Sequence, residues 1–232
     1  MSFRVDCAGG AALAALRTGP ATVFASFERS CYVETPSGIA CLGGPGLGLG
    51  PLNAIVADFE SIPVGRSVFI EIGKAKLWKP CASFSAGRVP EIEIPPSIET
   101  PAHAFLAWLC NEGKSPDELI GLGPGLTPAG DDFVGGAMIA LRAFGDHKAA
   151  DRIAGWALPL ARERTNRISR AHLECAAQGE GHEALHDLLC TFDKKHLERL
   201  ARVGHTSGLD AVAGALLALE TAIRRSWRGE SR

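Results

Sequence analysis

The hydrophobic period of this chain changes near residue 100, and that change limits the folds open to it. Between residues 21 and 94, short β-branched or aromatic runs are divided by Gly and Pro. Residues 21–27, 31–35, 39–42, 53–56 and 67–72 read as strands, and Pro36-Ser37-Gly38 reads as a hairpin turn. Strands in succession point to a mostly antiparallel sheet or small barrel, not to alternating βαβ units. Pro90, Pro95, Pro96 and Pro101 then make a stiff connector. Beyond it, apolar residues recur every three to four positions, predicting helices over 102–111, 132–144, 149–162, 168–177, 182–190 and 209–223. The helices from Asp132 and Leu209 are apolar on nearly all sides and rich in Ala and Gly, the pattern of central, closely packed helices. The expected fold class is α+β. A β-rich part covers residues 1–100 and a helical part covers 101–232, with one shared core or two.

Charge and cysteine usage narrow the function. The 24 Lys and Arg against 26 Asp and Glu leave a net charge of −2, whereas a dedicated nucleic-acid binder is usually basic. Seven cysteines, an odd number with no C-x-x-C pair, read as reduced thiols of a cytoplasmic protein and not as a disulfide frame. Asp6 and the Gly9-Gly10 pair spoil an N-terminal signal peptide, and no apolar run reaches the ~18 residues of a membrane span. The 27 glycines in 232 residues exceed the usual share of about 7%, and they cluster.

The richest cluster is Gly-Leu-Gly-Pro-Gly-Leu-Thr-Pro-Ala-Gly-Asp-Asp over residues 121–132, which runs straight into a predicted helix. Free N–H groups and the helix dipole make such a start a natural anion site. Glycine permits the positive-φ turns that aim several N–H groups inward. Gly123, Gly125, Thr127 and Gly130 are therefore candidate anion ligands. The loop carries no Lys or Arg, and Asp131 and Asp132 would repel a bare phosphate. A hard cation such as Mg²⁺, held by Asp131 and Asp132, would reconcile the two features. For any one of these residues, helix capping is the plainer account. The loop is not a phosphate-binding P-loop, since no Gly-Lys-Ser/Thr follows.

The pattern recurs at Gly-His-Thr-Ser-Gly-Leu-Asp over 204–210. Gly130 precedes Asp132 by two residues and Gly208 precedes Asp210 by two. Gly136 and Gly214 each follow their Asp by four. Such glycines allow close approach of helix backbones, and both helix starts are expected to converge on one pocket. Thr206, Ser207 and Asp210 would line it, with His205 as the titrating base, neutral near pH 7 beside a helix N-terminus. A third Gly-rich stretch, 42–53, ends at Asn53 and either brings backbone to the ligand or is a plain surface connection. Arg164 and Arg167 lie before a predicted helix that Thr165, Asn166 or Ser169 would cap, and Arg167 is a candidate for an anionic ligand.

His182-Glu183-Ala-Leu-His186 matches H-E-x-x-H, which on a helix can bind zinc with the Glu as general base. Gly179 and Gly181 stand just before it, so the motif opens a helix instead of lying inside one, and no third ligand stands out.

Taken together, these residues resemble the AllH-like family, whose named members are subunits of the bacterial oxamate carbamoyltransferase of anaerobic allantoin breakdown. The resemblance rests on residues 123–133, on Thr165-Asn166 with Ile168-Ser169, and on residues 204–210, with weaker matches at 50–53 and 77–80. It implies phosphorolysis of a carbamoylated substrate: oxalurate and phosphate giving oxamate and carbamoyl phosphate. It also implies companion subunits. Where the family usually has Pro-Ser-Gly-Asp-Asp, this chain has Ala129, one hydroxyl fewer. On this reading Asp131, Asp132, His205, Thr206 and Asp210 are the candidate catalytic residues. Gly123, Gly125, Thr127, Gly130, Ser207, Gly208, Asn53 and Arg167 would bind a small anionic substrate, with neither nucleic acid nor membrane as partner. The alternatives are a non-catalytic scaffold subunit, whose glycines serve packing, and a zinc hydrolase using His182 and His186.

Overall fold

In the computed structural model, which describes residues 2–17, 19–81, 89–90 and 92–227, the chain resolves into two units, Met1–Pro80 and Cys81–Arg232. Alternating side chains build the first. Its strands are β1 (Ser2–Ala8), β2 (Ala21–Ser26), β3 (Ser30–Thr35), β4 (Gly38–Gly43), β5 (Asn53–Val56), β6 (Ser67–Glu71) and β7 (Lys76–Leu77). They run in the order β5-β4-β3-β2-β6-β1-β7, and β1 also pairs with β5, so six strands close into a barrel. Closure removes the open edges that a sheet of this size would otherwise expose. The β1–β5, β2–β3, β2–β6 and β3–β4 pairs are antiparallel, whereas β1–β6, β1–β7 and β4–β5 are parallel. Thr35 pairs with Gly38, leaving Pro36-Ser37 as the hairpin turn.

The five expected strands are all present. The closing strand β1 was not expected. Phe3 and Val5 point inward, while the outward Ser2, Arg4 and Asp6 make the segment look polar in sequence. Helix α1 (Gly10–Leu16) buries Ala12, Leu13, Ala15 and Leu16. The stretch over 42–53 is packed against its start. A Cβ on Gly9 would collide with the Gly50 and Pro51 backbone, and Ala12 N–H donates to Pro51 O at 2.9 Å. The Asn53 amide donates to Gly48 O at 3.0 Å and fastens that loop from within.

The second unit is helical: α2 (Glu99–Leu109), α3 (Ala129–Phe144), α4 (His147–Arg164), α5 (Arg167–Ala177), α6 (Glu183–Thr191), α7 (Lys194–Leu200) and α8 (Ser207–Trp227). The α+β reading holds. Pro101 sits in the first turn of α2, where a missing N–H costs nothing. Helix α7 was not expected; at seven residues it is too short to display a period. Helices α3 and α8 are central. From Ala129 to Leu141 every residue of α3 is buried except Asp132. Phe105 meets Phe133 edge-on at 5.6 Å and Trp108 meets Trp156 at 5.1 Å, filling one side of the core. Along the α3–α8 contact each helix lays a glycine on the other's backbone. A Cβ on Gly136 would collide with Ala211 O, and one on Gly214 with Phe133 O. The matched spacing seen in the sequence is a reciprocal packing device.

Candidate functional site

The two Gly-rich helix starts meet. Thr127 Oγ1 and Ser207 Oγ, eighty residues apart, share a hydrogen bond of 2.7 Å. Both segments are built alike behind that bridge. A Cβ on Gly130 would collide with Leu119 O, and one on Gly208 with Leu200 O, so each helix start is pressed onto the segment before it. The Gly130 N–H donates to Leu122 O at 3.0 Å and the Gly208 N–H to Val203 O at 3.1 Å. What these two glycines offer is the missing side chain. Gly121, Gly123 and Gly125 adopt φ of 80°, 112° and 95°, a region that favours glycine. Their loop leaves Leu126 exposed beside the bridge, and Leu209 is exposed on the other side.

The three aspartates divide into two kinds. Asp131 is buried and held by three donors. Gly121 N–H donates to Oδ1 at 2.7 Å, and the hydroxyls of Thr165 and Ser169 donate to Oδ2 at 2.5 and 2.6 Å. Asn166 completes the clamp. Its Oδ1 accepts the N–H of Ile168 and Ser169, capping α5, and its amide donates to Leu126 O at 2.8 Å. The sequence displayed this clamp only as a run of cap-type residues before α5; that Thr165 and Ser169 turn to Asp131 needs the fold.

Asp132 and Asp210 differ. The Oδ2 atom of each is out of contact with solvent and has no hydrogen-bond partner. Burial pushes the Asp132 carboxyl well above its ordinary range; the Ser207 hydroxyl pulls it back, and the charges of Asp210 and Asp131 push it further. Asp210 is only 1% exposed, and burial raises its pKa against the pull of the Thr206 hydroxyl. Each acid thus keeps one unsatisfied oxygen at the start of its helix: Asp210 is buried as a whole, whereas Asp132 is part-exposed and only its Oδ2 is shut off from solvent. Unpaired buried oxygens of this kind cost stability and call for an explanation.

The remaining candidates fall around this centre or away from it. Thr206 O accepts the Leu209 and Asp210 N–H groups at 2.9 and 3.0 Å, opening α8. His205 stands exposed in the turn just before it. Arg167 is exposed at the first residue of α5. Asn53 belongs to the first unit, where its amide serves the 48–53 loop. His182 is the N-cap of α6, outside the helix, and its Nδ1 accepts the Ala184 N–H. His186 Nε2 accepts the Gly181 N–H at 3.1 Å. Glu183 pairs with Arg199 at 2.8 Å. The H-E-x-x-H residues thus have structural work, and among the described residues no group of three or more His, Cys, Asp or Glu could hold a metal. A cavity of about 340 Å³, lined by Leu106, Cys110, Leu217 and Thr221 among others, lies along α2 and the C-terminal half of α8, far along that helix from the aspartates. Among the described residues no helix is long and apolar enough to cross a membrane.

Residues 119–219 match the family model described as oxamate carbamoyltransferase subunit AllH, in agreement with the resemblance read from the sequence. The matched span contains both Gly-rich helix starts and the Asp131 clamp. No curated protein and no solved structure matches the chain.

Proposed function

From the match of residues 119–219 to the AllH family, we propose that this chain is a subunit of a carbamoyltransferase-type enzyme of allantoin degradation. Its site lies at the paired N-termini of α3 and α8, and its substrates are small anions of the oxalurate and carbamoyl phosphate class. The observation that carries this reading is the Thr127–Ser207 bridge. It joins two helix starts that lie 80 residues apart, and helix starts favour oxyanions. The loop glycines 123 and 125 present backbone N–H groups, and the hydroxyls of Thr127, Thr206 and Ser207 add donors. Phosphate oxygen attacks the carbamoyl carbon of oxalurate, the bond from that carbon to nitrogen breaks, and oxamate leaves with a proton on its nitrogen. We assign that proton transfer to His205, the titratable group of the turn before α8. The donors of the helix starts stabilise the tetrahedral oxyanion. Companion subunits supply the rest of the site.

A second reading has one observation in its favour. Gly130, Gly136, Gly208 and Gly214 are all explained by backbone packing, as a non-catalytic scaffold subunit would require. Packing also explains Gly121, where a Cβ would collide with Arg164 O, but it accounts neither for Gly125, where a Cβ would meet nothing, nor for the unpartnered oxygens of Asp132 and Asp210. Calorimetric titration of the full chain with inorganic phosphate, carbamoyl phosphate and oxamate separates the two. Micromolar to millimolar binding that weakens in Thr127→Val and Ser207→Ala supports the site, whereas heat-silent titrations throughout favour the scaffold. In the assembled enzyme, His205→Gln should lower kcat and flatten its pH profile; an unchanged profile removes His205 from the chemistry.

A further inference from the structure

We propose that Asp132 and Asp210 together bind a hard divalent cation of the Mg²⁺ class between the N-termini of α3 and α8. The inference deepens the proposed function, on which it rests, by naming the ion that lets a carboxylate-lined site accept an anion. Three observations carry it. First, Oδ2 of Asp132 and Oδ2 of Asp210 are buried without a hydrogen-bond partner, and Asp210 is only 1% exposed. Buried carboxylate oxygens are ordinarily paired, and here two come from symmetry-like positions on two helices. Second, neither loop carries a cationic side chain, from Gly121 to Asp132 or from Gly204 to Asp210, so neither supplies an ammonium or guanidinium to these acids. Third, the groups around them are oxygen donors. Thr127 and Ser207 hydroxyls stand 2.7 Å apart and both act on the Asp132 carboxyl, as the Thr206 hydroxyl acts on that of Asp210. Oxygen-only surroundings suit Mg²⁺ or Ca²⁺ over zinc. Two carboxylates are also the number with which Mg²⁺ commonly binds, because water and ligand oxygens complete its shell. Asp131 is excluded from the set, since three donors of its own fold already hold it.

The test uses the full chain with Mn²⁺ as the spectroscopic stand-in, titrated at pH 8 and followed by the electron paramagnetic resonance of the free ion. One Mn²⁺ per chain is expected, displaced by Mg²⁺. Asp132→Asn and Asp210→Asn should each weaken it by roughly tenfold or more while retaining a cooperative melt. Folded wild type that binds no Mn²⁺ up to millimolar concentration overturns the proposal, as does binding that both variants leave unchanged. A second measurement needs no variant. Bound Mn²⁺ should broaden the amide resonances of residues 127–132 and 206–210 first, and broadening centred elsewhere overturns the assignment. Phosphate affinity is measured in parallel. Mn²⁺ held through Asp132 and Asp210 with no phosphate binding would sink the anion reading and leave this one standing. Phosphate bound in the absence of any Mn²⁺ affinity would do the reverse.

Discussion

Gly135 and Gly136 stand side by side in α3 but in opposite surroundings. A Cβ on Gly135 would rest 3.6 Å from the Ala176 methyl, an ordinary contact, whereas one on Gly136 would collide with the carbonyl of Ala211 in α8. The pair isolates packing from backbone propensity. Gly135→Ala should stabilise the chain by up to about 1 kcal/mol, the helix preference of Ala over Gly. Gly136→Ala must push α8 away and should cost roughly 3 kcal/mol or more, at the upper end of overpacking effects. Urea denaturation of both variants checks this; equal effects at the two positions would show that α3 and α8 do not meet through Gly136.

The clamp around Asp131 makes a different prediction. Asp131→Ala leaves the Gly121 N–H and the Thr165 and Ser169 hydroxyls without their acceptor in a buried place, and should cost roughly 3 kcal/mol. Asp131→Asn should cost less, because its carbonyl oxygen can still accept from Gly121 while its amide donates to a hydroxyl. Melting curves of the two variants decide. If Ala and Asn are equally mild, Asp131 does not hold the loop, and its place among ligand-binding residues reopens.

How far the sequence displays this fold depends on how local each cause is. The strands of the barrel and the helices α2 to α6 and α8 follow from period and punctuation, which act over a few residues. The reciprocal glycines of α3 and α8 were legible because both helices carry the same spacing, Asp132 to Gly136 and Asp210 to Gly214. Strand β1 escaped because its outward residues are charged and its inward ones too few to stand out. The division of labour between adjacent aspartates was also illegible. Asp131 and Asp132 have the same chemistry and successive positions, and only the approach of α5 to one and α8 to the other tells them apart. The H-E-x-x-H match shows the converse: a pattern visible in sequence whose first His proves to be a helix cap.

Charge on Asp132 and Asp210 should cost the fold stability. Each carboxyl has a pKa raised by burial, so above its ordinary ionisation range the folded state holds protons that the unfolded chain has released. Stability attributable to these groups is therefore greatest at acid pH and declines as pH rises through the raised values. Asp210→Asn removes the titration. In metal-free buffer it should melt above wild type at pH 8, by roughly 2–4 °C for each 1 kcal/mol gained, with the advantage shrinking toward pH 4. Differential scanning calorimetry across that range reads both the sign and the trend. An advantage that instead grows toward acid pH would mean that Asp210 is stabilised as a carboxylate, by a partner other than a metal ion.

His186 acts in the opposite direction. It is 4% exposed, burial holds its pKa down to about 4, and its Nε2 accepts the Gly181 N–H, a bond that protonation would abolish. In the unfolded chain the imidazole titrates near 6.5. Between those values the unfolded state binds more protons, so unfolding free energy rises with pH and is lost as pH falls from about 6.5 to 4. The full loss attributable to this group is on the order of 3 kcal/mol. His172, whose pKa burial and the nearby His182 also lower, adds to the same slope. The share of these two imidazoles in the urea midpoints at pH 7, 6 and 5 should therefore fall steadily, against the rise contributed by Asp132 and Asp210. His186→Gln, which cannot titrate, should lower stability at pH 7 yet flatten part of that fall. A variant with the wild-type slope would show that His186 is not the buried neutral imidazole that receives the Gly181 N–H, and that the acid sensitivity arises elsewhere in the helical unit.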